Sequence, residues 1–65
     1  MNAIKAERMN RGEALADAAA GMGIHVATLI RIEREGRLPT APVAKAIADH
    51  YGLRVTDLWP IKEAA

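Results

Sequence analysis

Apolar residues recur along this chain at intervals of three and four, the spacing that puts side chains on one face of a helix. Between residues 25 and 34, Leu29, Ile32 and Val26 are spaced to reach a common face, while Ala27, Ile30, Arg31 and Arg34 point elsewhere. Further on, Val43, Ala44, Ile47, Ala48 and Tyr51 make the buried stripe of another helix. No stretch holds the alternate-residue pattern of a strand. The punctuation supplies the boundaries. Asn2 caps a first helix over residues 3 to 11, and Gly12 stops it because glycine tolerates the left-handed conformation beyond a helix end. A second helix covers residues 13 to 22, rich in alanine and with acids in its first half, where they suit the helix dipole. Gly23 permits a sharp turn into the third helix, residues 25 to 34. "EGRLPT" is a loop by composition. Thr40 caps the fourth helix, with Pro42 in the first turn, where no backbone donor is lost, and Gly52 ends it. Thr56 caps a last short turn, "DLW", which Pro60 stops, leaving residues 60 to 65 as a short tail that frays or docks. The pattern predicts an all-α fold of five short helices in one domain, residues 1 to 65.

Composition narrows the function classes. At 65 residues the chain lies near the lower limit for a single hydrophobic core, with little room for a catalytic cleft. Cysteine is absent, which removes both a disulfide framework and thiolate metal ligands and suits a reducing cytosol. The hydrophobic fraction is 51% with one Trp, one Tyr and no Phe, so the core is made of small aliphatic side chains suited to closely packed helices. No apolar run approaches the roughly 20 residues of a bilayer span, and the start lacks a signal-peptide layout, so a soluble, cytoplasmic protein without membrane contact is expected. The net charge of +1 advertises no nucleic acid by itself, and any case for DNA must come from the placement of charges.

Enzyme chemistry has little support. Serine and cysteine nucleophiles are missing, and the carboxylates sit at ion-pairing distances from Lys and Arg along helices. "GMG" lacks both the preceding strand and the third glycine of a dinucleotide fingerprint. His25 reads as a cap-region or solvated side chain and His50 as a solvated end of the fourth helix, with no third ligand at useful spacing. No metal, cofactor or small-molecule ligand is therefore expected.

Two helices joined by a glycine turn, "ALADAAAGMGIHVATLIRIE", have the length and punctuation of a helix-turn-helix, in which the second helix enters the DNA major groove. Arg8 is followed by Gly12 four residues on, by Gly23 eleven further and by Ile32-Glu33 near the end of the third helix. "GRLP" and "IADHYGLRVTDLW" follow in order. These features, spread from Ile4 to Trp59, resemble the Cro/C1-type (XRE-like) helix-turn-helix family of phage and bacterial regulators.

The resemblance implies a compact, lambda-repressor-like five-helix domain that binds double-stranded DNA. It points to a Cro-like repressor on a palindromic operator, acting in the bacterial cytoplasm or nucleoid or in a phage-infected host. It implies a partly buried ion pair between Arg8 and Glu33, and it places His25, Val26, Ala27, Ile30 and Arg31 at base-reading positions. Val26, Ala27 and Ile30 suit the thymine methyl group, and Arg31 suits guanine O6 and N7. Arg11, Thr28, Arg34, Arg37 and Thr40 are the candidate phosphate contacts. So small a reader calls for two copies, with Leu58, Trp59 and Ile61 as candidate dimer contacts in an association completed on DNA.

The chain also departs from the family's pattern. Ala14 and Leu15 stand where a hydroxyl and an amide usually grip phosphate, Glu13 replaces an apolar residue, and Glu35 looks like one extra residue before the loop glycine. With Val and Ala at reading positions, the alternative is a protein-interaction module, an adaptor or antitoxin-like piece that docks through the apolar face of the third helix.

Overall fold

The computed structural model describes residues 3 to 60 and folds them into five helices with no strand among them. These are α1 (Ala3–Asn10), α2 (Leu15–Met22), α3 (Val26–Glu35), α4 (Ala41–Tyr51) and α5 (Val55–Leu58). The expected all-α fold is the one observed. The expected Asn2 cap and almost all of the tail lie outside the described residues.

Three helices end in the same way. After α2, Gly23 takes φ +74° and the N–H of Ile24 reaches back to the carbonyl of Ala19 at 3.0 Å. The matching bonds run from Glu13 to Arg8 after α1 and from Leu53 to Ala48 after α4. Each satisfies a carbonyl that the end of the helix would leave unpaired, and each needs a residue that tolerates positive φ just before it. Reading glycine as a stop was therefore sound.

Starts were harder to place. α2 begins at Leu15 rather than Glu13, with Ala14 at its cap position and no side-chain acceptor there. α5 is capped by Arg54, not Thr56, which lies inside the helix. The reason is Asp57, whose carboxylate accepts the Arg54 backbone N–H at 2.9 Å and the Arg54 guanidinium at 3.3 Å. The backbone bond first, and then the guanidinium, hold the Asp57 carboxyl below its usual range. Thr40 stands at the cap position of α4 as expected, although its hydroxyl makes no capping bond. Glu35, which looks like one extra residue before the loop glycine, completes α3, and Gly36 ends that helix with its N–H on the Ile32 carbonyl at 2.9 Å.

The core is aliphatic. Ile4, Leu29 and Ile47 are its largest fully buried side chains, drawn from α1, α3 and α4. Each contributes about 1.5 to 3 kcal/mol of transfer free energy on burial. Ala18 and Ala19 of α2 are buried as well, and their small size lets α2 close on its neighbours. Of the predicted α4 stripe, Ala44, Ile47, Ala48 and Tyr51 are buried, while Val43 is half-buried at the edge.

His50 is not a solvated helix end. Its Nε2 lies 2.8 Å from Glu13 Oε2, and its ring meets that of Tyr51 edge-on at a centroid distance of 4.9 Å. The ring also occupies the space beside Gly21, where a Cβ would stand 2.5 Å from Cε1. Glu13 thus has a polar partner across the fold, which accounts for a carboxylate at a place where the family's pattern has an apolar side chain. Tyr51 donates its hydroxyl to the same carboxylate at 3.3 Å.

Burial, reinforced by the charge of Glu13 and its hydrogen bond, pushes the Tyr51 phenol up to about 12. The folded state therefore favours the neutral phenol over the unfolded state, whose tyrosine titrates near about 10. The resulting stability is present in full below about pH 10 and is lost as pH rises through about 12. Because Tyr51 is the sole tyrosine, phenolate absorbance against pH reads it directly. Half-ionisation near pH 10 in the still-folded protein would show a solvated ring.

Candidate nucleic-acid interface

Between α2 and α3 the chain bends by 105°, within the range of about 90 to 120° that sets a second helix across the first. Two bonds fix the corner. Ile24 is tied back to Ala19, and His25, the cap of α3, accepts the Ala27 N–H on its Nδ1 at 3.1 Å.

α3 then has two unlike faces. Leu29, Ile32 and Glu33 are buried, whereas Ala27, Ile30, Arg31 and Arg34 are exposed and line a shallow surface with Thr28. Ile30 keeps 44% of its surface open, a large fraction for isoleucine. Val26, expected among the base-reading residues, is half-buried and packed against the core, because at the first turn of α3 it falls on the same side as Leu29. Of the five expected base-reading residues, the structure therefore leaves His25, Ala27, Ile30 and Arg31 on the outside.

Glu33 is buried because Arg8 meets it. The guanidinium donates to both carboxylate oxygens, Nε to Oε2 at 2.8 Å and Nη2 to Oε1 at 3.0 Å, and Nη1 donates to the Glu13 carbonyl at 2.9 Å. The side chains are 13% and 6% exposed. The hydrogen bond to Glu33, more than burial, sets the balance and raises the Arg8 pKa. The ion pair implied by the resemblance is present, and it ties α1 to the second half of α3.

Charge placement, uninformative as a total, becomes clear in three dimensions. Arg8, Arg11, Lys45 and Arg54 all pair with acids. Arg31, Arg34 and Arg37 are exposed and make no ion pair with a described residue. All three stand on α3 or in the loop after it. Thr28, Arg31, Arg37 and Thr40 share one hollow between α3 and that loop, with Glu35 and Leu38 on its wall. Four of the candidate DNA contacts, from α3 and the loop that follows it, are thus brought together.

Arg11 is not brought there. Its guanidinium donates to the Tyr51 carbonyl at 2.8 Å, lies 4.9 Å from the centre of the Tyr51 ring and pairs with Glu7. It joins the end of α1 to the end of α4. Leu58 also departs from expectation as a dimer contact, since it is buried in the core. Trp59 is half-buried in a surface hollow with Ala3, Leu38 and Pro60, and Ile61 lies outside the described residues. Leu38, 61% exposed, is an apolar surface residue beside the interface that sequence reasoning missed. Its only signal was a leucine in an otherwise polar loop.

Residues 4–58 match the helix-turn-helix family over almost the whole of this fold. The chain belongs to that family. Its branch is the Cro/C1-type, or XRE, group of DNA-binding regulators, as the spacing of Arg8, Gly12, Gly23 and Glu33 implied. No individually curated protein matches the chain significantly. For a helix-turn-helix protein the helix that enters DNA is the second of the pair, here α3. No helix among the described residues is long and apolar enough to cross a membrane.

Proposed function

We propose that this helix-turn-helix protein is a Cro-like repressor that binds a palindromic operator as two copies, each laying α3 in the major groove. The observation that carries the reading is the set of arginines at 31, 34 and 37, exposed without acid partners around the outer face of α3. Arg31 is the base reader, donating to guanine O6 and N7. Ala27 and Ile30 meet thymine methyl groups beside it, and His25 adds a hydrogen-bonding group at the start of the helix. Arg34, Arg37, Thr28 and Thr40 hold phosphate. With alanine at the cap of α2 and leucine as its first residue, the grip on the backbone falls to α3 and the loop after it. Half-sites lie about 34 Å apart or a multiple of that, and Trp59 with Leu38 is the apolar surface for association. The protein works where its operator is, in the bacterial cytoplasm or an infected host.

The test is selection of bound duplexes from a randomised pool at moderate salt. Enrichment of a short palindrome with G and T at spaced positions supports the repressor. No enrichment by a folded protein favours the interaction module, for which the exposed Ile30 and Leu38 are the relevant surface.

Point substitutions divide the roles. Arg31→Ala is expected to relax preference at one base pair of each half-site, costing about 1 to 3 kcal/mol on the preferred sequence. Arg37→Ala weakens all sequences alike and lowers the salt slope by about 1 per copy, because one phosphate contact is gone. Uniform loss in both variants would remove Arg31 from the readers.

A further inference from the structure

The turn into α3 is closed by an imidazole, and an imidazole accepts a hydrogen bond in one protonation state only. His25 Nδ1 accepts the Ala27 N–H at 3.1 Å, so in this state the ring's hydrogen is on Nε2. A second proton would occupy the same Nδ1 lone pair. The ring must then leave Ala27, and the resulting cation sits at the positive end of the α3 dipole. Ser, Thr or Asn at this position would carry no such dependence.

The surroundings offer no compensating acid. Between Asp17 of α2 and Arg31 of α3 the sequence has no other titratable side chain. On α4, which packs against α2, Lys45 is paired with Asp49 and His50 is held by Glu13. The Ala27 bond is the sole hydrogen bond or ion pair that the exposed His25 ring makes with a described residue.

We propose that His25 is a proton-sensitive cap of the reading helix: its neutral form holds the first turn of α3 in DNA-binding geometry, and its protonated form releases it. The inference rests on α3 being the DNA-reading helix. Its sign is opposite to that of a histidine that merely faces phosphate, where a gained proton strengthens binding. Ala27, the residue whose amide is released, is itself at the proposed reading surface, so opening the turn moves a base-facing side chain.

The experiment compares the wild-type protein with His25→Asn at constant ionic strength, from pH 8 down through the imidazole range of about pH 5 to 8. Asparagine caps in every protonation state, and His50 is present in both proteins, so the difference between them belongs to position 25. Affinity for a selected operator duplex and amide exchange protection at Ala27 without DNA are both measured. On acidification the wild type is expected to lose about 5-fold in affinity relative to His25→Asn, the fold-change of a typical lost cap, together with protection at Ala27. Equal pH profiles, or wild-type binding that strengthens relative to the variant, overturn the proposal. If neither protein binds DNA at any pH, the DNA reading of α3 fails and this inference with it. Protection at Ala27 then shows whether the cap alone follows the proton.

Discussion

Glu33→Ala is expected to remove most of the stability of this domain. A chain of 65 residues has on the order of 3 to 10 kcal/mol in hand, from about 0.05 to 0.15 kcal/mol per residue. Removing the carboxylate leaves the Arg8 guanidinium, 13% exposed, with the Glu13 carbonyl but without either bond to Glu33. Breaking a buried pair in this way costs about 3 to 5 kcal/mol, because the remaining charge has lost its water and its partner. Urea unfolding followed by circular dichroism measures the loss. A second protein, carrying Arg8→Met and Glu33→Leu together, is expected to recover much of it, since the penalty is the unpaired charge rather than the missing attraction. A loss below about 1 kcal/mol in Glu33→Ala would place the pair among solvated surface bridges and contradict its apparent burial.

Leu29→Ala should come second in size. Leu29 is fully buried and seats α3 on the core beside Ile32. Truncation removes its transfer free energy and leaves a cavity, at a cost of about 2 to 5 kcal/mol depending on how far the neighbours collapse. The adjacent Ile30 supplies the control. Being exposed, Ile30→Ala is expected to change stability by no more than about 0.5 kcal/mol while lowering affinity for the operator. Both quantities come from the same preparations, one by denaturant titration and the other by DNA binding. If Ile30→Ala destabilises as strongly as Leu29→Ala, the two faces of α3 are wrongly assigned.

These contrasts also show how much was legible beforehand. Spacing placed Leu29 and Ile32 inside and Ile30, Arg31 and Arg34 outside, because local helix geometry alone decides those directions. Helix ends were legible for the same reason: Gly12, Gly23 and Gly52 stop helices by a backbone requirement that acts within a few residues. Helix starts were less so. Thr56 has the better capping chemistry, yet Arg54 takes the position, because Asp57 reaches back to its N–H. Polar contacts across the fold were the least visible. Nothing local to "RGEA" or "ADHY" indicates that Glu13 and His50 meet, since they are 37 positions apart. Arg11 was misplaced for the same reason: as an exposed cation near the start of α2 it suited phosphate, but Tyr51 supplies a carbonyl and a ring face at the other end of the chain. The Arg8 and Glu33 pair, 25 positions apart, is also non-local and was found only through family resemblance.

The slot beside Gly21 joins two positions into one. Because the His50 ring fills the volume that a side chain at 21 would need, a Cβ at 21 requires that ring to move off its place, and the Glu13 carboxylate then keeps the Tyr51 hydroxyl alone of its two ring partners. Alanine at 21, a better helix former in isolation, is therefore a gain that this protein sets against the seat of its histidine.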